Sequence, residues 1–292
     1  MIYADAVPAP LLAVDAPSIL YRAFFALPKS ITGADGAPVN ALLGTANMVL
    51  QAVTDHAPRA VAICFGAEAA AYRVALYPGY HAARPPMPDE LAAQWELAPG
   101  LLAAFGWTVL DGSADALEAD DLLGGLAQAE LRAGGSALLL TGDRDLFQCA
   151  AERVAVLYPV KGGVERIGPD EVRARHGVAP ERIPDLIALR GDPSDGLPGA
   201  KGIGAKGAAD LLRRFGDLEG VLAAAQDDST TLTPRTRAAL LADPDMLRAF
   251  LEIATLRAPD LAPPPDGALD RARGAAAAER LGMARLAGRL RG

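Results

Sequence analysis

Short apolar runs that alternate with helical spacing constrain the first half of this 292-residue chain more than any other feature. An unbroken apolar run is typical of a strand that is covered on both faces of a parallel sheet. Because helical patterns separate the runs, we predict an α/β fold: a mostly parallel sheet of βα units flanked by helices. The predicted strands lie at 10–15, 60–65, 107–110, 137–141 and 154–157.

After Pro169 the pattern becomes helical, which divides the chain. We predict an α/β domain over 10–168, a helical domain over 169–262, and a connector with a terminal helix over 263–292. The 51% hydrophobic content allows a well-buried core. No apolar run reaches membrane-spanning length, and the start lacks the layout of a signal peptide. We therefore expect a cytoplasmic protein with no membrane partner and with free, buried thiols at Cys64 and Cys149.

The net charge of −8 argues only weakly against a nucleic-acid partner. Phosphate contacts need cations, but the basic residues are unevenly spread and gather around 182–214 and at the C-terminus. Since an acidic protein can bind DNA through a local basic surface, the net charge excludes nothing here.

A glycine-rich stretch at 191–207 precedes a helical pattern. Glycine permits a close approach of another backbone, and a helix N-terminus offers unpaired N–H groups to a phosphate. The stretch therefore predicts a helix-hairpin-helix clamp on a nucleic-acid backbone that reads phosphates rather than bases. The alternative is an ordinary glycine-rich connection between two helices. The predicted clamp residues are Gly199, Lys201, Gly202, Gly204 and Lys206.

Acidic residues recur where the predicted strands end and at the start of the glycine-rich stretch. The carboxyl ends of parallel strands share one edge of a sheet, so we expect these side chains to converge. Each like-charged pair at about 5 Å costs about 3 kcal/mol at an effective dielectric of about 20, which calls for bound cations. Oxygen ligands favour Mg²⁺ or Mn²⁺. Two such ions can activate a water for attack on a phosphodiester and stabilise the attacking and leaving oxygens. The alternative is a set of scattered helix caps. The candidate ligands are Asp15, Glu118, Asp120, Asp121, Asp143, Asp145, Asp192 and Asp195.

Basic and aromatic residues interleave over 72–87, including Arg73, Tyr80, His81 and Arg84. This pattern suits contacts with a nucleic-acid backbone together with base stacking, although a helix edge with packed tyrosines is the alternative. Arg22, Arg73 and Arg84 are expected to hold the phosphate during hydrolysis.

Three other site classes do not fit. An aspartyl-phosphate phosphatase requires a second carboxylate two residues after Asp15, where this chain has Pro17. A P-loop is absent because no glycine cluster ends in Gly-Lys-Ser/Thr, and a dinucleotide site is excluded because the glycine cluster follows helices rather than a strand.

With these residues in view, the chain resembles the 5′-nuclease superfamily, in particular the nuclease domain of bacterial DNA polymerase I and stand-alone 5′–3′ exonucleases (flap endonucleases). The likeness runs in order from about residue 10 to about residue 220. The matching motifs are Leu12-Ala-Val-Asp15, Tyr21-Arg-Ala-Phe-Phe-Ala-Leu-Pro28, the segment 80–84, Glu118-Ala-Asp-Asp121, Thr141-Gly-Asp-Arg-Asp145 and the segment 191–199.

The resemblance implies a PIN-like core, a helix-three-turn-helix of the kind that often holds a potassium ion, and two magnesium sites. It assigns Asp15, Glu118 and Asp120 to the first magnesium ion, and Asp121, Asp143, Asp145, Asp192 and Asp195 to the second. It also implies that Arg22, Arg73, His81 and Arg84 line a gateway for the 5′ end of DNA, with Tyr80 beside them.

The implied enzyme is a metal-dependent 5′–3′ exodeoxyribonuclease and structure-specific endonuclease of DNA repair or replication. We expect a monomer that acts on DNA with 5′ flaps, nicks or free 5′ ends, with a DNA polymerase as a separate partner.

Two departures from the family pattern bear on activity. The family usually has Asp after the strand that ends at Phe65, where this chain has Gly66, and it favours Lys where this chain has His81. We expect Gly66→Asp to raise the cleavage rate or to lower the metal requirement, unless Glu68 already fills the place. Two alternative functions stay open: a structure-specific DNA-binding protein with weakened cleavage, and a nuclease directed at RNA primers.

Overall fold

A computed structural model describes residues 8–292. Its centre is a six-stranded sheet in the order β3-β2-β1-β4-β5-β6, in which the first five strands are parallel and β6 is antiparallel to β5. The predicted α/β sheet is confirmed. The strands are β1 (Leu11–Asp15), β2 (Ala60–Phe65), β3 (Thr108–Asp111), β4 (Ala137–Leu140), β5 (Val154–Val160) and β6 (Gly163–Ile167).

The sequence reading missed β6. This edge strand exposes most of its residues and follows β5 after a two-residue turn, so it lacks the apolar run that identified the other strands.

Helices cover both faces of the sheet. In the first part of the chain they are α1 (Ala16–Ala26), α2 (Asn40–His56), α3 (Ala71–Leu76), α4 (Asp89–Ala103) and α5 (Ala119–Arg132). The later helices are α6 (Pro169–His176), α7 (Ile183–Arg190), α8 (Ala205–Phe215), α9 (Leu218–Gln226), α10 (Pro234–Leu241), α11 (Pro244–Ala254), α12 (Arg271–Arg280) and α13 (Ala284–Arg291). None of the helices within residues 8–292 is long and apolar enough to cross a membrane.

Two buried clusters lie on opposite faces of the sheet. One joins α5 to α7, α8, α9 and α11, so the two predicted domains share a continuous core on that face. The other joins α1, α2 and α4 to the two C-terminal helices. Both cysteines are free; Cys64 is buried and Cys149 is partly buried, and burial raises the pKa of Cys149 to about 12.

The C-terminal segment differs from its prediction. The residues after 262 form an extended strap followed by two helices, α12 and α13, where the sequence reading expected a single helix. Gly282 has a φ of 77° in the turn between them, so the alanine-rich pattern is interrupted there and the second helix folds back on the first.

Candidate active site

A cavity of about 1070 Å³ lies at the carboxyl edge of the sheet, between the strand ends and the loop that connects α7 to α8. The predicted convergence of acidic residues is largely observed, because seven of the eight candidate carboxylates line this one cavity. They are Asp15, Glu118, Asp120, Asp143, Asp145, Asp192 and Asp195.

A hydrogen-bond network fixes the carboxylates at the ends of the neighbouring strands β1 and β4. Asp15 caps α1, since its Oδ1 accepts from the backbone N–H of Ser18 at 3.0 Å. Its Oδ2 accepts a hydrogen bond from the Thr141 hydroxyl at 2.6 Å, and the same hydroxyl oxygen accepts from the Asp143 N–H at 2.9 Å. Gly142 N–H donates to Ser18 Oγ at 2.9 Å. The fully buried Thr141 therefore holds two candidate ligands in one orientation.

Four of the carboxyl groups that line the cavity have pKa values above their ordinary range. Burial, followed by the charges of Asp15, Asp143 and Glu118, raises the pKa of Asp120 well above its ordinary value. Burial and neighbouring carboxylates likewise raise the pKa of Asp145, and they raise that of Asp143 to about 6. Burial also raises the pKa of Asp15. Within residues 8–292 the side chains of Asp120 and Asp145 form no ion pair, so their charge is left without a local partner.

This donor set fits a hard divalent cation. All of the groups are carboxylate oxygens, and a cation among them would relieve the repulsion that raises their pKa values. Among residues 8–292, no three acidic, histidine or cysteine side chains approach closely enough to form a complete protein cage for a metal ion. Mg²⁺ tolerates this arrangement, because it keeps several waters and takes one or two carboxylates together with substrate phosphates.

Glu118 and Asp121 share the buried Arg73, whose single guanidinium partly compensates the two carboxylates. Arg73 is 3% exposed and pairs with Glu118 Oε1 and with Asp121 Oδ1, each at 2.9 Å, while its Nε donates to the carbonyl of Ile253. Asp121 is fully buried, and it also accepts from the N–H groups of Glu118 and Arg257. The structure therefore does not bring Asp121 to the cavity, and it commits Arg73 to ion pairs instead of leaving it for a phosphate.

Tyr80 also departs from its predicted role. It is 5% exposed, and its hydroxyl donates to Glu118 Oε2 at 3.0 Å, so its ring is not free for base stacking in this conformation. Glu118 lines the cavity but accepts hydrogen bonds from Tyr80, Ala70 N–H and Arg73. Most of its lone pairs are thus already used.

His81 and Arg84 connect the gateway segment to the loop between α7 and α8. His81 Nε2 lies 3.3 Å from Asp195 Oδ1, and Arg84 Nη2 donates to the same oxygen at 2.9 Å. His81 Nδ1 donates to the carbonyl of Glu68 at 2.9 Å. Although burial alone would raise the pKa of Asp195, the hydrogen bonds and charges of His81 and Arg84 hold it below its ordinary value. Asp195 is thus compensated within the chain, unlike Asp145.

Gly66 sits where no side chain fits. A Cβ atom there would lie 2.5 Å from the Ala119 nitrogen and 2.7 Å from the Leu117 carbonyl oxygen, both of which are backbone atoms. The neighbouring Ala67 N–H donates to the same carbonyl at 2.8 Å. The expected gain from Gly66→Asp therefore has no support in this geometry, because the carboxylate could enter only if this backbone moved. Glu68 is exposed at the cavity rim.

The predicted clamp residues lie outside the cavity. The α7–loop–α8 unit has the expected helix–turn–helix form, with positive φ at Gly199 and Gly202 and with Gly204 as the N-cap of α8. A Cβ at Gly199 would lie 2.2 Å from the Gly191 nitrogen, which explains the need for glycine. Lys201 and Lys206 are exposed beside this loop. Arg22, on α1, is half-buried and does not line the cavity.

Sequence reasoning missed several residues that line the cavity. Ser18 lines the cavity but lies in none of the matching motifs, whereas Thr141 lies in the motif 141–145 and is not part of the lining; the positioning roles of both depend on the three-dimensional contact between β1 and β4. Arg190 precedes Gly191; its Nη2 donates to Asp192 at 3.3 Å, and its buried Nε has no hydrogen-bond partner within residues 8–292. Tyr21 and Trp95 form an aromatic wall, with their ring centroids 6.3 Å apart.

Comparisons with known proteins agree with this architecture. The N-terminal resolvase-like domain of 5′–3′ exonucleases matches residues 10–177, and their C-terminal SAM fold matches residues 178–263. A 5′–3′ exonuclease of Mycobacterium tuberculosis is 39% identical over 262 residues, which cover 82% of this chain and 81% of that protein. DNA polymerase I of the same organism is 40% identical over 215 residues, which cover 73% of this chain but 24% of the polymerase.

Among solved structures, a bacteriophage T5 flap endonuclease in a pseudo-enzyme-product complex with DNA and metal ions has a TM-score of 0.70 and 16% identity. The match covers 96% of this chain and 97% of that one, and at this identity it supports the fold alone. The sequence matches identify the family, and together with the fold they show that this protein is a nuclease. This chain therefore belongs to the 5′–3′ exonuclease family of hydrolases.

Proposed function

We propose that this protein hydrolyses phosphodiester bonds near the 5′ ends or flaps of DNA with the aid of two divalent metal ions, Mg²⁺ or Mn²⁺. The observation that carries the proposal is the single cavity lined by seven carboxylates, several of which have raised pKa values and form no ion pair within residues 8–292. The T5 flap endonuclease, which shares the fold, was solved in a pseudo-enzyme-product complex with DNA and metal ions.

Bound divalent ions would lower the pKa of a water and neutralise charge on the scissile phosphate. Within this chain, Asp15 and Asp120 would hold one ion and Asp143 and Asp145 the other, with bound waters linking the ions to Glu118 and Asp192. Thr141 keeps Asp15 and the backbone of Asp143 oriented. Asp121 is left out of the proposed ligands because Arg73 neutralises it.

The remaining cavity residues suit a nucleic-acid strand. Arg190, Arg84 and Arg144 supply guanidinium groups for phosphate oxygens. Tyr21 and Trp95 offer aromatic surface to a base. Outside the cavity, the glycine loop before α8, with Lys201 and Lys206, would contact the backbone of the duplex, and a potassium ion at this loop is part of the proposal.

A second candidate function is structure-specific DNA binding with weakened cleavage. Gly66 favours it, because the family carboxylate is missing there and the surrounding backbone leaves no room for it. Cleavage of RNA primers is a third possibility that the incubation below also tests. We further propose a cytoplasmic monomer that works beside a separate DNA polymerase.

The decisive experiment incubates the protein with a labelled 5′-flap duplex and with the same duplex carrying a 5′ RNA segment, in Mg²⁺, in Mn²⁺ and in a chelator. Metal-dependent cleavage that Asp143→Ala abolishes would support the nuclease. Equal binding of uncut DNA by both proteins would favour the DNA-binding alternative, and cleavage confined to RNA would favour the primer nuclease.

A further inference from the structure

The last two helices concentrate positive charge on an otherwise acidic protein. The chain as a whole has 28 basic and 36 acidic residues, whereas residues 271–292 hold six arginines and one acidic residue, Glu279. This segment also lies outside the two family matches, which together end at residue 263. Its charge is therefore a property of this chain that the family assignment does not explain.

The two faces of this helical hairpin have different chemistry. Its inner face is built of small and apolar side chains, including Ala278, Met283, Leu286 and Leu290, and belongs to the buried cluster with α2 and α4. Gly274 approaches Phe105 so closely that a Cβ would lie 2.7 Å from the ring. All the arginines remain exposed on the outer side: Arg271, Arg273, Arg280, Arg285, Arg289 and Arg291.

Local contacts use only part of this charge. Arg291 pairs with Glu279, and Arg289 donates to Asn47 on α2. Arg271, Arg280 and Arg285 form no ion pair within residues 8–292. Since packing of the inner face does not involve these three side chains, fold stability gives no reason for their presence.

The hairpin is attached to elements that lead to the cavity. Its turn at Leu281 and Gly282 packs on Gly33 and Ala34, where a Cβ at Gly33 would lie 2.7 Å from the Leu281 carbonyl oxygen. Gly33 and Ala34 belong to the loop between α1 and α2, and the cavity residue Asp15 is the N-cap of α1. The basic surface thus belongs to a hairpin that packs against α4, whose Trp95 lines the cavity, and against the loop that follows α1.

We propose that the outer face of the α12–α13 hairpin binds the phosphate backbone of a duplex arm of the DNA substrate. This inference rests on the proposed function, which supplies the DNA. Arginine suits the role because its planar guanidinium contacts phosphate oxygens through two donors and remains charged at every physiological pH. The contacts carry no base information, so they increase affinity for any sequence that has a sufficiently long arm.

The test compares two variants with the same change of net charge. The first is the triple variant Arg271→Gln, Arg280→Gln, Arg285→Gln. The matched control is Arg153→Gln, Arg166→Gln, Arg173→Gln, which alters exposed arginines near β5, β6 and α6. Binding to 5′-flap duplexes with long and short arms is measured as a function of salt in Ca²⁺ or chelator, with thermal unfolding as a check on folding.

The hairpin variant should bind the long-armed duplex more weakly, and its slope of log K against log [salt] should fall by about 1 to 3. The control variant and short-armed duplexes should change little. If the wild-type protein binds DNA and the hairpin variant shows the same salt slope as the wild type, this inference is overturned but the proposed function is not. Equal weakening of both variants would also overturn it, since net charge would then suffice. A wild-type protein that binds neither duplex would overturn both this inference and the proposed function.

Discussion

Two acidic regions that come from one sequence motif have opposite electrostatic states. Asp121 is buried against Arg73 and accepts two backbone hydrogen bonds, so its charge is balanced within the chain. Its neighbour Asp120 lines the cavity with Asp143 and Asp145, where burial and repulsion raise the pKa values of all three. The comparison teaches that two carboxylates adjacent in sequence can have different roles: one stabilises the fold through an internal ion pair, and the other is available to bind a cation.

The largest expected effect is the loss of cleavage when a cavity carboxylate is neutralised. Asp145→Asn should reduce metal-dependent cleavage of a 5′-flap duplex by about 100- to 1000-fold, because one of the proposed oxygen ligands loses its charge. Single-turnover kinetics at saturating Mg²⁺ would measure the change. A wild-type cleavage rate in this variant would show that Asp145 is not one of the metal ligands.

Substitutions in the cluster of Arg73, Glu118 and Asp121 should instead affect the stability of the fold. Asp121→Asn removes one of the two carboxylates that pair with the buried Arg73 and weakens the hydrogen bonds that Asp121 accepts, so the free energy of unfolding should fall by about 1–3 kcal/mol. Urea denaturation in a chelator would measure this loss. The exposed pair of Arg173 and Asp170 offers a control, since Asp170→Asn should cost less than about 1 kcal/mol. Similar losses for both variants would contradict the structural role of Asp121.

Thr141 tests whether the cavity carboxylates need to be held in place. Thr141→Val keeps the shape but removes the hydroxyl that connects Asp15 with Asp143, so metal affinity should fall by about 10- to 100-fold. Thr141→Ser keeps a hydroxyl at this position and should retain most of the metal affinity. Titration of Mn²⁺ binding would distinguish the variants; equal defects in both would indicate a packing role instead.

The smallest effect concerns Gly66. Gly66→Ala should destabilise the fold by about 1–3 kcal/mol because its Cβ meets the backbone of Leu117 and Ala119. Gly66→Asp should show a similar loss with no gain in cleavage. A stable and faster Gly66→Asp enzyme would instead mean that the backbone beside α5 moves to admit a further ligand.

Patterns local in sequence predicted much of this molecule. The apolar runs identified β1, β2, β3, β4 and β5, and the strand ends predicted where the carboxylates meet. Only the fold reveals which acidic residue faces an arginine, because Arg73 and Asp121 lie 48 positions apart. For the same reason the motifs did not predict the hydrogen bond between the buried Tyr80 and Glu118. They also did not predict that backbone atoms lie close to Gly66.

Thermal unfolding of Asp145→Asn in a chelator tests most directly whether the cavity carboxylates are held against their own repulsion. At pH 7 this variant should unfold at a higher temperature than the wild type, with about 2–4 °C for each kcal/mol of relieved repulsion. The gain should shrink as the pH falls toward about 4, because a raised pKa means that the folded wild type takes up a proton and loses the repulsion. Added Mg²⁺ should stabilise the wild type more than the variant. A lower unfolding temperature for Asp145→Asn in the chelator, as expected for Asp121→Asn, would contradict the distinction between the two acidic regions.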